Sequence, residues 1–441
     1  TSYHLKNFHF PHSAFRLFMI KLSHNRHRID RMIKMKHIII LTDGAGDYEI
    51  ESLGNKTPLE VAKTPFIDEL AQKGEVGLVQ TIPEGMQPGS DVANLAVMGY
   101  APDKYHTGRS PLEAASMGVP LIDTDITFRC NIVTLTEDEP YEEKTILDHS
   151  SGDITTEEST QLILDIREKL QTEFIQYYPG VSYRHLILWK KGPYDFDLTP
   201  PHDILTQKIT NYLPKGPHKD ILYNMMSNSY DLLKDHPINI ARKERGLNPA
   251  NSIWIWGEGK KPQLDPFYDK YQLKGSVISA VDLINGIGIL AGLQPVKVEG
   301  ATGTLHTNFD GKGKAAIETL LNGDDFVYIH LEAPDECGHQ GDLEGKIKSL
   351  ELIDEKIVGA IKNALNEAKE DYRIMILPDH MTPIAKRTHT SDPVPYMIYD
   401  STQNTNLSQN RYTEKSAKTS GNFFNDGPSL MDYFIKPNAR K

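Results

Sequence analysis

Cysteine is scarce in this sequence: Cys130 and Cys337 are the two that occur among 441 residues. Two cysteines cannot build the disulfide framework of a small secreted protein, nor supply the four thiolates of a structural zinc site. The scarcity therefore favours a protein of the reducing cytoplasm.

Long apolar runs and an excess of positive charge are also missing. No uninterrupted apolar segment approaches the roughly 18 residues that indicate a membrane span. The formal net charge is −12, so neither nucleic acid nor an anionic membrane surface attracts the chain nonspecifically. We therefore expect no membrane and no nucleic-acid partner. An anionic substrate needs a pocket made locally positive by arginines or bound cations.

Two familiar catalytic motifs are absent as well. The chain has no G-x-x-x-x-G-K-[ST] loop for nucleotide phosphates, and no G-x-S-x-G elbow surrounds Ser90. The sequence therefore gives no sign of a nucleotide cofactor or of a Ser-His-Asp hydrolase.

Short apolar runs alternate with longer helical patterns over most of the chain, which is typical of α/β proteins. A prior of about 150 residues per domain allows two or three domains. The sequence pattern changes over residues 121–274, where proline- and lysine-rich loops separate the strand-like runs. We predict a core domain formed by 35–120 and 275–441, with 121–274 inserted as a smaller α/β or α+β domain. The residues with metal-binding chemistry lie on both sides of this insert.

Residues 1–34 differ from the rest of the chain, because they are basic, rich in histidine and without a persistent period. A basic segment that is poor in acids can be a targeting arm. We favour an extension that is disordered or a non-native start, since a strong strand begins directly after Met35.

Several elements are specific enough to be tested. Continuous apolar runs predict buried strands at 37–43, 76–82, 325–331 and 373–379. Helical periods predict helices at 64–73, at 276–292, at about 343–369 and from Ser90 onward.

Asp43 and Ser90 each have a structural and a chemical interpretation. Asp43 follows a strand at the end where open α/β sheets present ligand-binding side chains, but a carboxylate there also caps turns. Ser90 precedes a helical run and suits an N-cap residue. The same helix end offers free N–H groups to a phosphoryl group, so neither residue decides the question alone.

Asp335 and His339 lie four positions apart in PDECGH, after the strand predicted at 325–331. One helical turn would place both on the same face, where they can share a cation. Pro334 and Gly338 favour an irregular loop, which is a common setting for functional residues.

Asp379 and His380 repeat this arrangement after another predicted strand, and His389 follows nine positions later. A lone Asp–His pair is usually a turn or a surface pair, and a lone histidine is more often structural. Three strand ends with such residues, together with a serine at a helix start, are much less easily explained by coincidence.

The ligand types indicate which metals to expect. Mixed carboxylate and imidazole ligands suit Mn²⁺, Zn²⁺ or iron better than Ca²⁺. Two such cations can hold the entering and leaving oxygens of an in-line displacement and lower the pKa of a hydroxyl nucleophile. A two-metal phosphoryl-transfer site is the leading interpretation.

From about Lys36 to its C-terminus, the chain resembles the cofactor-independent phosphoglycerate mutases of the archaeal type, a branch of the alkaline phosphatase superfamily. The matching stretches are TDGAGD, PGSDVANLAVMGY, GRSPLEAASMGV, TGTLHTNFDGK, HLEAPDECGHQGD and LPDH. The resemblance implies an α/β fold with an alkaline-phosphatase-like core sheet, flanked by helices and interrupted by the inserted domain.

The resemblance also implies a ligand set and a nucleophile. One divalent cation, with Mn²⁺ or Zn²⁺ favoured, would be held by residues matching Asp43, Ser90, Asp379 and His380. The second cation would be held by residues matching Asp335, His339 and His389. Ser90 would be the nucleophile and would carry a phosphoserine intermediate.

The inserted domain would then close over the substrate and contribute polar groups. Arg109, Arg129 and Arg184 are candidates for carboxylate and phosphate contacts, because a guanidinium grips either group bidentately. Asp148 is a candidate for shuttling a proton between substrate hydroxyls. Three further candidates for substrate contacts are His149, His202 and Lys346. The alternative for each charged residue is a solvated surface position.

The implied activity is the interconversion of 3-phosphoglycerate and 2-phosphoglycerate, independent of 2,3-bisphosphoglycerate, on a small phosphorylated metabolite. The residues leave the acceptor open. A related metal-dependent phosphotransferase such as a homoserine kinase, a phosphomonoesterase or phosphodiesterase, and a non-catalytic metal-binding protein are the alternatives. The sequence does not determine whether the chain forms a homo-oligomer.

Overall fold

The computed structural model of the chain describes residues 35–403 and 411–436. The extension predicted at 1–34 lies outside these residues. The strands, in chain order, are β1 (Lys36–Thr42), β2 (Glu75–Val79), β3 (Ile126–Leu135), β4 (Ile146–Asp148), β5 (Ile175–Tyr178), β6 (Arg184–Trp189), β7 (Ser252–Lys260), β8 (Gly275–Ile278), β9 (Gln294–Pro295), β10 (Phe326–Leu331), β11 (Tyr372–Leu377), β12 (Val394–Asp400) and β13 (Phe423–Phe424).

The α-helices, in chain order, are α1 (Pro58–Val61), α2 (Pro65–Lys73), α3 (Ser90–Val97), α4 (Pro102–Tyr105), α5 (Ser110–Ser116), α6 (Thr156–Leu170), α7 (Lys219–Leu233), α8 (Pro237–Glu244), α9 (Phe267–Tyr271), α10 (Asp282–Leu290), α11 (Phe309–Leu321), α12 (Ala333–Gln340), α13 (Leu343–Ile353), α14 (Ala360–Ala368), α15 (Glu414–Ser420) and α16 (Gly427–Ile435). Short 3₁₀ segments span Glu51–Leu53, Tyr141–Glu143, Pro201–Ile204 and Ile209–Tyr212, and a π-helical segment spans Asp354–Gly359.

The larger sheet has eight strands in the order β13-β2-β12-β11-β1-β10-β8-β9. β1 is central and pairs in parallel with both β10 and β11. Its side chains alternate between two hydrophobic clusters, with Ile39 and Leu41 on one face and Ile38 and Ile40 on the other. A strand buried on both faces reads as a continuous apolar run, which explains why the sequence identified β1 correctly. The predicted α/β class is confirmed.

A second, antiparallel sheet has the order β4-β3-β6-β5, with β7 pairing β3, and all its strands lie within 126–260. It has its own hydrophobic cluster, which includes Phe128 and Trp254. The chain re-enters the larger sheet at β8, which begins at Gly275, and the residues just before it already pack against this sheet. Leu264, Phe267, Tyr271 and Leu273 all pack in the hydrophobic cluster of the larger sheet.

Two predicted elements were wrong. The helix predicted over 276–292 is strand β8 followed by helix α10, because Gly275–Ile278 pair in parallel with β10 and are fully buried. Periodicity alone cannot separate a short apolar strand from the apolar helix that follows it. The irregular loop predicted around Asp335 is helix α12, in which Pro334 occupies the first turn, where proline is tolerated, and left-handed Gly341 ends the helix.

The long helix predicted over about 343–369 is present as α13 and α14, joined by the π-helical Asp354–Gly359. Among the helices within 35–403 and 411–436, none combines the length and the apolar character that crossing a membrane requires.

Candidate functional site

The predicted metal residues converge because the strands that precede them are neighbours. Asp43 directly follows β1, while Asp379 and His380 follow β11, and Asp335 lies in α12 just after β10. Since β11, β1 and β10 are adjacent and parallel, their carboxyl ends meet at one edge of the sheet. Residues almost 340 positions apart therefore share one site.

Asp43, Asp379 and His380 form the first group of candidate metal ligands, each offering one atom that lies within 4.8 Å of the others. His380 Nε2 lies 3.3 Å from Asp379 Oδ2 and 3.7 Å from Asp43 Oδ1. All three residues are buried. Ser90 Oγ lies 3.2 Å from the same His380 Nε2, so the candidate nucleophile adjoins this group.

Asp335, His380 and His389 form the second group, with ligand atoms again within 4.8 Å of one another. His389 Nε2 lies 3.4 Å from Asp335 Oδ1, and His339 Nε2 lies 3.3 Å from Asp335 Oδ2. The rings of His380 and His389 stack with their centroids 3.8 Å apart. His380 therefore adjoins both groups, and all the residues predicted as metal ligands lie together.

The electrostatics of these residues fit divalent cations. Burial, followed by the charges of Asp379 and Asp335, raises the pKa of Asp43 well above its ordinary value. Asp43 Oδ1 is buried and has no hydrogen-bond partner within 35–403 and 411–436. His339 Nε2 and His389 Nε2 lie 2.9 Å apart. At this distance two unprotonated nitrogens repel each other unless a proton or a cation lies between them. Clustered carboxylates and facing imidazole nitrogens are the donor set that Mn²⁺ or Zn²⁺ would satisfy.

Ser90 is the first residue of α3, and its N-cap residue is Gly89. The N-cap interpretation of Ser90 is therefore wrong, because the extended backbone of a cap residue occurs one position earlier. Ser90 is partly exposed, and the first N–H groups of the helix are free of intrahelical partners at the same end. This position suits a nucleophile that must present a phosphoryl group to backbone donors.

Asn94 is a site residue that sequence reasoning missed. Its Nδ2 donates hydrogen bonds to Asp379 Oδ2 and to the carbonyl oxygen of Ser90, both at 2.9 Å. Its Oδ1 accepts a hydrogen bond from Tyr328 OH at 2.6 Å. The available signal was a fully buried amide in the apolar run VANLAV, since buried polar groups need partners.

His330 was missed for the same reason, because it lies inside the apolar strand β10. Its Nε2 is hydrogen-bonded to Asp43 Oδ2 at 2.7 Å, and its Nδ1 to Ser279 Oγ at 3.1 Å. Burial lowers the pKa of His330 to about 3, so the ring is neutral and orients the Asp43 carboxylate. Thr382 Oγ1 similarly donates to Asp335 Oδ1.

Gly44 allows the loop after β1 to approach helix α12. Its φ of +64° lies in the left-handed region, and a Cβ at this position would lie 2.6 Å from Asp335. Gly44 N also donates a hydrogen bond to Asp379 Oδ1 at 3.3 Å. The glycine of the TDGAG segment therefore lets the loop after β1 pack closely against Asp335 and Asp379, in addition to forming a turn.

Arg109, Arg129 and Arg184 line one cleft of about 540 Å³ between the two sheets, as their predicted role requires. Glu332 and Glu336 line the same cleft, and both lie within three residues of Asp335. Burial, followed by the neighbouring acids, raises the pKa of Glu332 to about 7. The cleft thus extends from the guanidinium groups to the helix that carries ligands of the second group.

Asp148 is the last residue of β4, and its carboxylate accepts several hydrogen bonds within the protein. It accepts hydrogen bonds from Ser150 N at 2.8 Å, Gly152 N at 2.6 Å and Asn248 Nδ2 at 2.8 Å. Although burial opposes the effect, the hydrogen bonds from Ser150 and Asn248 lower the pKa of Asp148. These contacts hold the Asp148 carboxylate in a defined position, and its transfer of a proton between substrate hydroxyls stays a prediction.

His149 and His202 lie in one row of aromatic and cationic groups on the inserted sheet. Neighbours in this row lie 4.2 to 6.1 Å apart, measured between ring centroids or from guanidinium carbon to ring. The row runs through Arg184, Tyr183, His149, His202, Trp256 and Arg129. The structure thus brings both histidines to the arginines, while their contact with a substrate stays a prediction.

Lys346 is not a substrate contact in this structure, which corrects the prediction. Its side chain is 0% exposed. Its Nζ donates hydrogen bonds to Asp47 Oδ2 at 2.8 Å and to the carbonyl oxygens of Gly46 and Thr382 at 3.2 and 2.9 Å. The buried Lys346 therefore connects the loop after β1 with the loop after β11.

Comparisons with known proteins identify the family to which the chain is similar. Residues 71–239 match the family model described as 2,3-bisphosphoglycerate-independent phosphoglycerate mutase. A relative from Geobacter sulfurreducens, named as a probable 2,3-bisphosphoglycerate-independent phosphoglycerate mutase, is 47% identical over 402 residues, which cover 91% of this chain and 100% of that protein. A relative of the same activity name from Methanosarcina barkeri is 46% identical over 385 residues, or 87% of this chain and 95% of that protein.

Two solved structures are similar over nearly their full lengths. A protein from Pyrococcus horikoshii superposes with a TM-score of 0.76 at 28% identity, covering 93% of this chain and 99% of its own. A cofactor-independent phosphoglycerate mutase from Thermoplasma acidophilum gives a TM-score of 0.61 at 23% identity, covering 91% and 99%. The second likeness supports the fold alone.

Proposed function

The chain belongs to the family of 2,3-bisphosphoglycerate-independent phosphoglycerate mutases, and on this basis we propose that it interconverts 3-phosphoglycerate and 2-phosphoglycerate through a phosphoserine at Ser90. The observation that carries the proposal is the position of Ser90 Oγ, 3.2 Å from His380 Nε2 at the N-terminus of α3. A hydroxyl between a helix end and two groups of ligand atoms suits a phosphoryl acceptor.

The proposal includes two divalent cations, for which the mixed ligands favour Mn²⁺ or Zn²⁺. The first would be held by Asp43, Ser90, Asp379 and His380, and the second by Asp335, His339 and His389. When bound, the cations would lower the pKa of the serine hydroxyl and neutralise charge that develops on the phosphoryl oxygens. No nucleotide is required.

In the first half of the reaction, Ser90 Oγ attacks the phosphorus of 3-phosphoglycerate. Ser90 Oγ loses its proton as its bond to phosphorus forms, the bond between phosphorus and the C3 oxygen breaks, and the C3 oxygen gains a proton. Backbone N–H groups at the N-terminus of α3 stabilise the phosphoryl charge during transfer. Ser90 then carries the phosphoryl group, and glycerate stays in the cleft.

In the second half, glycerate reorients and its C2 hydroxyl attacks the phosphoserine. The C2 hydroxyl loses its proton, the bond between phosphorus and Ser90 Oγ breaks, and Ser90 Oγ regains a proton, which yields 2-phosphoglycerate and restores the serine. Arg109, Arg129 and Arg184 retain the anionic glycerate meanwhile, since their guanidinium groups bind carboxylates bidentately. Closure of the inserted domain excludes water, which would otherwise hydrolyse the phosphoserine.

The experiment is to incubate the purified protein with Mn²⁺ or Zn²⁺ and 3-phosphoglycerate, without 2,3-bisphosphoglycerate. The products are detected by phosphorus NMR. The expected product is 2-phosphoglycerate, without free phosphate. Free phosphate as the main product would show that the protein is a hydrolase and not a mutase. Inactivity on both phosphoglycerates, with ATP-dependent phosphorylation of homoserine, would favour the phosphotransferase instead.

A further inference from the structure

Glu113 lies between two of the cleft arginines and contacts both. Its Oε1 accepts a hydrogen bond from Arg109 Nε at 3.1 Å, and its Oε2 accepts one from Arg129 Nε at 3.0 Å. Arg109 and Glu113 are one turn apart at the start of α5, whereas Arg129 lies on β3 of the second sheet. One carboxylate therefore joins two arginines that come from different parts of the fold.

The terminal nitrogens of both guanidinium groups remain available to a ligand. In the part of the chain that the structure describes, no hydrogen bond uses an Nη nitrogen of Arg109 or Arg129, and none of these nitrogens is both buried and unpaired. Both side chains line the cleft. The guanidinium carbon of Arg129 also lies 4.2 Å from the ring centroid of Trp256, which restricts its orientation.

The charges of the three residues give Glu113 a second effect. Burial, and then the neighbouring positive charges of Arg109 and Arg184, lower the pKa of Arg129 against the opposing effect of Glu113. Two guanidinium groups this close repel each other, and one shared carboxylate offsets one of the two charges. The pair of guanidinium groups with its shared carboxylate therefore keeps one positive charge, which an anion in the cleft can approach.

We propose that Glu113 is a positioning residue, which holds Arg109 and Arg129 as a pair that binds one oxyanionic group of the substrate, either its carboxylate or its phosphate. The inference rests on the proposed function for the identity of the substrate. The arrangement of the pair does not depend on the identity of the substrate, because the two Glu113 oxygens accept hydrogen bonds from both Nε donors and leave the terminal nitrogens free for a ligand.

The chain offers a matched control in Glu69, which also bridges two cations. Its Oε1 lies 2.6 Å from Lys73 Nζ and its Oε2 lies 2.7 Å from Lys362 Nζ, away from the residues that line the cleft. Glu69→Gln therefore removes a bridging charge of the same kind, and substrate use should not change.

The test compares Glu113→Gln, Glu113→Asp and Glu69→Gln with the unchanged protein, all loaded with cations. Steady-state kinetics give KM and kcat for 3-phosphoglycerate, and calorimetric titrations with inorganic phosphate and with glycerate measure the binding of each oxyanion. We expect Glu113→Gln to raise KM about tenfold or more and to change kcat less than about threefold, since small displacements of a bidentate clamp have large effects. Glu113→Asp keeps the charge but has a shorter side chain. Its KM should therefore lie between the KM of the unchanged protein and the KM of Glu113→Gln.

The titrations also identify the bound group. Weaker glycerate binding by Glu113→Gln assigns the carboxylate to the arginine pair, and weaker phosphate binding assigns the phosphoryl group. Reduced thermal stability with unchanged KM and unchanged affinity for both anions would overturn the inference. If the unchanged protein does not convert 3-phosphoglycerate but Glu113→Gln still weakens an oxyanion, the proposed function fails and the positioning role stands.

Discussion

The side-chain amide of Asn94 donates a hydrogen bond to Asp379 Oδ2, although the two residues are 285 positions apart in the sequence. The same nitrogen donates to the carbonyl oxygen of Ser90, and Tyr328 OH donates to Asn94 Oδ1. One fully buried amide thus fixes the helix that carries Ser90 relative to the strand end that carries Asp379.

We expect Asn94→Ala to lower kcat about 10- to 100-fold, because Ser90 and Asp379 lose their fixed relative position. The substitution also leaves Tyr328 OH without this acceptor, so the free energy of unfolding should fall by about 1–3 kcal/mol. Kinetics and denaturant unfolding measure the two effects separately.

Asn239→Ala is the matched control for this prediction. Asn239 is equally buried, and its Nδ2 donates to the carbonyl oxygens of Leu233 and Ala250, which lie in the hydrophobic cluster of the second sheet. Its loss should lower stability to a similar extent and leave kcat unchanged. An equal loss of kcat in both variants would mean that Asn94 acts through general stability alone.

Ser90→Ala should lower turnover by at least about 10³-fold, because the phosphoryl group loses its acceptor. Metal content should be largely retained, since the carboxylate and imidazole ligands are unchanged. Activity assays and elemental analysis of the purified variant measure the two quantities. Normal turnover by Ser90→Ala would eliminate the phosphoserine.

The pair of Asp335 and His339, beside the second group, gives the cation-free protein a defined pH dependence. The hydrogen bond with Asp335 raises the pKa of His339 from 6.5 to about 9, although burial opposes the shift. Protonated His339 therefore stabilises the fold below pH 6.5, and this contribution is lost as the pH rises through about 9. The chelated protein should melt at progressively lower temperature across this range.

Cation binding should have the opposite dependence, because imidazole must lose its proton to become a ligand. The difference in Tm between loaded and chelated protein should therefore widen from pH 6.5 to about 9. Thermal unfolding at several pH values, with and without a chelator, measures it. His339→Gln should flatten the slope of the chelated protein, and an unchanged slope would assign it to another group.

Lys346→Met tests the structural assignment of a residue first predicted to contact substrate. The variant leaves the carboxylate of Asp47 buried without its cationic partner, so the free energy of unfolding should fall by about 3–5 kcal/mol. Arg184→Ala is the contrasting variant, because Arg184 is exposed in the cleft. It should raise KM and change stability by no more than about 0.5 kcal/mol. A stable Lys346→Met with raised KM would restore the substrate role.

The central strands β1, β10 and β11 of the larger sheet, and the convergence of the candidate metal-binding residues at their ends, were predictable because their signals are local. The strands that precede Asp43, Asp335 and Asp379 are mainly apolar runs in which every residue is buried. Such a run is typical of a strand that is covered on both faces of its sheet. The ligands then follow from their place at the carboxyl ends of such strands.

The supporting residues were not predictable because their signals are distant. Asn94 and His330 lie in apolar runs, and their partners Asp379 and Asp43 are 285 and 287 positions away. Asp148 looked like a free acid in the sequence, since its hydrogen bond with Asn248 spans 100 positions. Such roles depend on which loops the fold brings together.

The placement of β1 has a consequence for the newly made chain. Both of its neighbours, β10 and β11, are translated more than 280 residues later, whereas every strand of the second sheet finds its partners within 126–260. At synthesis rates of about 5–20 residues per second, β1 waits roughly 15 to 60 seconds on the ribosome for a partner. During this delay four consecutive aliphatic side chains, Ile38 to Leu41, lie unprotected, so chaperone demand should concentrate at the beginning of the sheet rather than in the insert.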